Sequence, residues 1–541
     1  MNRRQLIKSG FGTALAGTGH ALFSAPVHAG TSAGTAARTA AQSAATLDAT
    51  AAGAQVDLAN PQRNGVSAWA QAYAKVQRDY QPITIAFDRP LPAGLQGTLY
   101  RNGPAQMQRG TTAFRHWFDG DALVHAYRIG GNRLNHRASM VRTERFAAEE
   151  AAGRYLWDGF GTSIAGARPL NKPDDVNVAN ISVLPVDGEL LALWEAGSPY
   201  RLDPQSLATR GRKVFSAESD RLPFSAHPRV DRDGTIWSFG YLSGSGKIIL
   251  YRLDRGGSIK QLNVVDAPNA DMIHDFAITE RFLVFSLMPL IAEPRARYNS
   301  ALERYQWHPE RAGVVLLIDK NTLAIAHRIE MPALMNFHLG NAWDDGQSVR
   351  FHSMQVGDYH GLMNAMYSAV AGSPIRSFRS ADDGIVECTV DLASKQVSVS
   401  TLASGGLDFP AWDKRRTGQR SDHLMALRAS STITQGSFAV NELVLIDHHR
   451  GRRGSWDYGS HEIAEEHLFA PSRISSTTRG TVGRAGNATD PGWVIGTHYN
   501  WLSQRTTMSV FDSRAIDDGP IANAQLPYGF PPGLHGAYVA G

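Results

Sequence analysis

The sequence predicts an all-β fold, a seven-bladed β-propeller whose helical and loop insertions cap one end of the ring. Three observations predict it. Short runs of apolar, β-branched and aromatic residues recur along the chain, each bounded by Gly, Asp, Asn or Pro, the punctuation of strands and tight turns. Paired runs such as KIILYRLDRGG (247–257) and GVVLLIDKNTLAIAHRIEMP (313–332) read as hairpins that turn at an Asp. The unit returns every ~40 to 65 residues, the scale of a propeller blade carrying insertions. About seven such units fit, and a two-sheet sandwich would not occupy this length without a linker.

The elements follow in order. Residues 1–29 read as a twin-arginine export signal: MNRRQLIK (1–8), a weakly apolar Gly/Ala-rich stretch (11–25) and the small-residue site Val27-His28-Ala29. Such export carries folded proteins, often already loaded with metal, so the expected location is periplasmic or secreted. Residues 30–60 are rich in Ala, Thr, Gly and Ser, bury too little to fold and read as a disordered linker. From 61 to 541 the composition is uniform, and a single propeller domain is expected there. Its strand runs include GTLYRNG (97–103), DALVHAYRI (121–129), GELLALWEAG (188–197), GTIWSFGY (234–241), RFLVFSLM (281–288), NELVLID (441–447) and GWVIGTHYN (492–500). Helical periodicity is clear mainly in TERFAAEEAAGRYLW (143–157).

Composition narrows the function classes. The chain has 541 residues, 43% hydrophobic and 19% charged, ordinary for a globular protein. Its formal charge of +4 falls to about +1 once Arg3, Arg4 and Lys8 leave with the signal, too little to argue for nucleic acid. No run of about 18 apolar residues argues for a membrane-spanning helix. Cys388 is the only cysteine, which excludes an intrachain disulfide and multi-thiolate metal sites. The basic runs KRRTGQR (414–420) and HHRGRR (448–453) read as solvated loop surface. No phosphate-binding loop, dinucleotide fingerprint or nucleophile elbow stands out.

Four of the nineteen histidines share a position: after a turn and before an apolar run, at the start of a strand unit. They are His227 (FSAHPRVD), His274 (MIHDFAIT), His338 (NFHLGNAW) and His535 (PPGLHGAY). The first strand of each propeller blade lines the central axis, so histidines at blade starts converge there. The four are therefore candidate metal ligands and catalytic residues. His116 and His125 flank the acidic FDGD turn; a second metal site there is set against a turn organised by Asp119 and Asp121, and the turn is preferred.

These four segments, with RNGP (101–104), HWFDGDALVHAYRI (116–129), VNVANISV (176–183), LALWEAGSPYRLDP (191–204) and PYGF (527–530), resemble carotenoid cleavage oxygenases from about residue 80 onward. The resemblance implies a seven-bladed propeller holding one Fe(II) per chain through His227, His274, His338 and His535, beneath a cap of inserted loops. It also implies carboxylates behind three ligands: Glu195 behind His274, Glu466 behind His535, and Asp408 behind His338. The family pattern has Glu before Phe-Pro where this chain has Asp408 in LDFP. One methylene shorter, Asp408 is expected to make a longer or water-bridged contact.

Four neutral imidazoles suit ferrous iron and leave the site at +2 with positions free for O2. The function implied is cleavage of a conjugated carbon–carbon double bond by O2 into two carbonyls, on a carotenoid or apocarotenoid. The alternatives are a lignostilbene or phenylpropenoid substrate and, from another class, a non-catalytic binding propeller. Expected partners are an apolar alkene, O2 and a peripheral membrane contact; the sequence leaves the oligomeric state open. The helix-like segment 143–157 with its exit at 157–160, and segment 287–291, serve either as that apolar patch or as buried core.

Overall fold

The computed structural model describes residues 67–541 apart from 75–77, 295–297, 376–379, 381, 422, 448–450 and 473–491. The export signal and the linker lie outside the described residues, as does part of the 448–453 basic run. Each strand unit becomes an antiparallel blade, and seven blades form a ring. The inner strands of blades 2 to 6 are, in order, Ser182–Val186, Arg229–Val230, Ala277–Ile278, Asn336–Asp344 and Asp408–Ala411. Blade 7 has a divided inner strand, Glu462–Ala464 and Leu468–Pro471, both pairing with Gly492–Asn500.

Blade 1 closes the ring. Its innermost strand is Gly536–Ala540, which pairs with Gly97–Gln106 from Gly97↔Ala540 to Arg101↔Gly536. The first and last strands of the described chain therefore share one sheet, which fastens the ring shut. Closure matters for the site because His535 is the residue immediately before this strand.

Blades pack face to face, so their middle strands are buried on both sides. Phe282–Leu287 is buried at every position. Its alternate faces meet blades 3 and 5: Leu283 and Phe285 join Phe239 and Leu250, while Val284 joins Leu339 and Phe351. That two-sided burial is why the strand runs read as almost continuously apolar rather than alternating.

The predicted helix spans Glu144–Ala152, with the Thr143 hydroxyl accepting from Phe146 N–H at 3.0 Å and Gly153 closing it at φ 64°. A second helix, Tyr359–Ala371, is capped by Asp358 and ended by Gly372 at φ 71°. Sequence periodicity missed it because its residues (YHGLMNAMYSAVA) are apolar on most faces and leave no polar stripe. It packs on the short turns Trp117–Asp119 and Gln71–Ala74 at one end of the ring, forming the expected cap. The two candidate patch segments are mostly core: Trp157, Met288 and Leu290 are buried, and Phe160 packs against the Met288–Leu290 cluster. The exit 157–160 and segment 287–291 lack the exposure that a surface patch requires, and the exposed residues of the helix before them are Glu, Ala, Gly and Arg rather than large apolar side chains.

Close backbone approach fixes one glycine. A Cβ on Gly240 would lie 1.9 Å from the Pro223 carbonyl oxygen, inside blade 3. Gly240→Ala must push these segments apart, and overpacking of this kind costs ~1–3 kcal/mol. Thermal unfolding of the variant is expected several degrees below wild type.

Candidate metal centre

His227 and His274 stand just before the inner strands of blades 3 and 4, His338 within that of blade 5, and His535 before that of blade 1. The ring brings all four together: their facing nitrogens lie within 4.8 Å of one another. Nε2 of His227 is 3.0 Å from Nε2 of His274, and Nε2 of His338 is 3.1 Å from Nε2 of His535. Among the described residues this is the one cluster able to hold a metal ion.

The carboxylates decide what those nitrogens offer. His274 Nδ1–H donates to Glu195 Oε2 at 2.7 Å, His338 Nδ1–H to Asp408 Oδ1 at 2.6 Å, and His535 Nδ1–H to Glu466 Oε1 at 3.2 Å. An ionised carboxylate only accepts, so each Nδ1 carries the proton and each Nε2 faces the centre; burial opposes a charge on His338, but Asp408 outweighs it and raises the pKa of that ring. Burial opposes the charge on Glu466, but the adjacent His535 and Arg101 hold its carboxyl down at about 2. Burial likewise opposes Asp408, and contact with His338 outweighs it to keep the group below the usual range. Among the described residues His227 has no carboxylate behind it; burial and the three facing rings push its pKa well below normal, so it is neutral.

Lone pairs 3.1 Å apart in a buried site repel unless a cation lies between them. Two nitrogens each about 2.1 Å from one ion and at right angles are about 3.0 Å apart, matching the spacings found. The residues therefore fit a divalent transition metal, and imidazole suits Fe, Cu, Ni or Zn.

Asp408 makes a direct contact rather than the longer or bridged one expected. Phe409 adopts φ 56°, and the pairing of Asp408–Ala411 with blade 6's next strand shifts register there. This bulge brings the short carboxylate inward, where Phe409 N–H also donates to it at 2.8 Å. The Phe409 ring then packs 5.6 Å from His338 and 5.5 Å from His535.

Sequence reasoning missed the brace beneath the histidines. Arg229, two residues after His227, donates at 2.6 Å to both oxygens of Asp275, which follows His274. Asp275 also accepts from the backbone N–H of Leu339, which follows His338, at 2.9 Å. One ion pair thus locks three blades in register directly below three of the rings. Its only sequence signal was Arg229 two residues after His227 and Asp275 directly after His274.

The centre faces a cavity of about 380 Å³ walled by Phe118, Phe160, Trp194, Phe337, Met366, Phe438 and other apolar side chains. His274, His338 and His535 lie on its wall. His116 and His125 take structural roles elsewhere: His116 Nδ1 accepts from Phe118 N–H at 3.2 Å, and His125 pairs with His136 at 3.2 Å. Asp119 accepts from Gly161 N–H and Thr162 Oγ, and Asp121 pairs with Arg109. The acidic turn is therefore internal scaffolding.

Fold and site together define a propeller enzyme built around a four-histidine centre that opens on an apolar chamber. The family described as RPE65, retinal pigment epithelial membrane protein, matches residues 73–540. The chain is 28% identical to apocarotenoid-15,15'-oxygenase of Synechocystis over 87% of its length and 96% of that protein. It is 26% identical to isoeugenol monooxygenase of Pseudomonas nitroreducens over 84% of its length and 94% of that protein. It superposes on the crystal structure of cobalt-substituted Synechocystis ACO with a TM-score of 0.75 and 25% identity, covering 88% of this chain and 98% of that one. The protein belongs to the RPE65 or carotenoid cleavage oxygenase family and is a dioxygenase of that type.

Loss of a carboxylate behind a metal-bound histidine typically lowers metal affinity or activity ~10 to 100-fold. Glu195→Gln, Glu466→Gln and Asp408→Asn are each expected to fall in that range while retaining the wild-type circular dichroism spectrum. With no water-sized gap at 2.6 Å, Asp408→Glu is also expected to weaken the site. Titration of the metal-free variants with cobalt(II) measures all four.

Proposed function

We propose that the protein is a non-haem Fe(II) dioxygenase, one iron per chain, that cleaves a conjugated carbon–carbon double bond into two carbonyls. The observation that carries this reading is four converging neutral imidazoles, three backed by carboxylates, at the wall of an apolar chamber. Ferrous iron, when bound by His227, His274, His338 and His535, supplies the activation of O2. The protein's own contribution is to hold the imidazoles in one tautomer, exclude water and position the alkene against the centre. No protein acid or base is required.

An apocarotenoid is the favoured substrate. The chamber is walled mainly by apolar side chains such as Phe118, Phe160, Trp194, Phe337, Met366 and Phe438, which suit a conjugated polyene. Its wall contains no lysine among the described residues, and its arginine, Arg145, is committed to Glu149 at 3.2 Å and to the Trp157 carbonyl at 3.2 Å. No free cation is left to hold a phenolate. The second reading, a phenylpropenoid, is favoured by the likeness to isoeugenol monooxygenase and by the same apolar wall. The twin-arginine pattern at residues 3–4 supports work in the periplasm or outside the cell. Contact with a membrane surface is part of the proposal, since the apolar substrate partitions there.

Incubation of the iron-loaded protein with apocarotenals and with hydroxystilbenes, read by product mass spectrometry, tests the reading. Two carbonyl fragments from an apocarotenal are expected, and fragments from the phenols alone would transfer the assignment to the second class. Alanine at any one of the four histidines should abolish turnover and sharply lower iron content. Normal iron and turnover in His274→Ala would remove the centre from the reaction.

A further inference from the structure

The three carboxylates behind the histidines are anchored in three different ways. Glu466 is fixed from several sides: Gly536 N–H donates to its Oε2 at 2.9 Å, and Arg101 donates to the same oxygen at 3.2 Å and to the Glu466 carbonyl. Asp408 is held by the Phe409 N–H. Among the described residues Glu195 has neither a backbone amide nor a cation hydrogen-bonded to its carboxylate. Besides His274, it accepts a hydrogen bond from the Tyr241 hydroxyl, which donates to Oε1 while His274 occupies Oε2. Tyr241 ends strand Ile236–Tyr241 of blade 3 and is 5% exposed, with its ring packed in the core shared by blades 3 and 4.

We propose that Tyr241 is a positioning residue for the metal centre, fixing one oxygen of Glu195 so that the other stays on His274 Nδ1. This rests on the reading of the four histidines as metal ligands. The geometry gives the reason. Glu195 lies beyond the end of strand Glu189–Leu193, where the blade no longer holds the chain by ladder hydrogen bonds. A carboxylate with one fixed oxygen cannot rotate about its terminal bond, and the ring of His274 inherits that constraint. Burial, reinforced by the Glu195 charge, raises the phenol far above its ordinary range, so it remains a donor.

Tyr241→Phe removes the hydroxyl and leaves the ring in place. In the full-length protein it should weaken cobalt(II) retention against a competing chelator about tenfold, the low end of the ~10 to 100-fold range for outer partners. It should also shift the d–d absorption of the cobalt-loaded protein and lower kcat with KM unchanged. Tyr251→Phe removes a buried hydroxyl that bonds the Pro223 carbonyl at 3.0 Å in the same blade, and should change none of these. The double variant Tyr241→Phe with Glu195→Gln should lose little beyond Glu195→Gln alone, because both act through one bond. Wild-type retention and spectrum in Tyr241→Phe, or additive losses in the double variant, would overturn the inference while leaving the metal centre intact. Failure of the wild-type protein to hold cobalt or iron would instead remove the metal reading, and this inference with it.

Discussion

Everything at this centre depends on lone pairs facing one another across about 3 Å. His338 and His535 each donate Nδ1–H to a carboxylate and turn Nε2 toward one another, so a metal ion, or a proton on His338, must lie between them. Folding alone brings four ring nitrogens together in a buried pocket, three of them on carboxylate-backed rings, at an electrostatic cost that a metal ion relieves. The surroundings are built to resist that repulsion. Arg229 and Asp275 clamp three blades directly underneath, and Arg101 anchors Glu466 from the side. Buried ion pairs of this kind contribute little net stability, but they specify one arrangement.

The same logic explains the division of labour between scaffold and chamber. Polar groups are concentrated behind the histidines, where each finds a partner. The wall opposite is aromatic and aliphatic, supplied by the capping insertions and by loops that leave the blades. A reactive centre set between a polar floor of paired charges and an apolar roof limits the water that reaches it.

Most of the ring was legible in the sequence, because two-sided burial writes itself as uninterrupted apolar strands of recurrent length. The four histidines were legible because blade starts repeat, and a repeat turns distant residues into neighbours. What escaped notice shares one physical cause: it depends on contacts between blades. The Tyr359–Ala371 helix is apolar on most faces because it is sandwiched, so it shows no amphipathic period. Tyr241 looks like any core tyrosine until blade 3 is laid beside blade 2. Asp408 appeared too short for its task because side-chain length was read without the bulge at Phe409 that carries it inward.

Ring closure has a kinetic meaning as well. Arg101 and Glu466, partners at the centre, are 365 residues apart, and the strand that carries the fourth histidine into place pairs with the first blade. Contacts so distant form late, after the intervening blades have condensed and the loop-closure entropy has been met. The complete ligand set therefore exists only in molecules whose circle has shut. Metal capture would act as a latch on that final event, drawing the closed form out of the folding equilibrium in proportion to its affinity. The rate at which metal is taken up by refolding chains would then time the joining of the first and seventh blades.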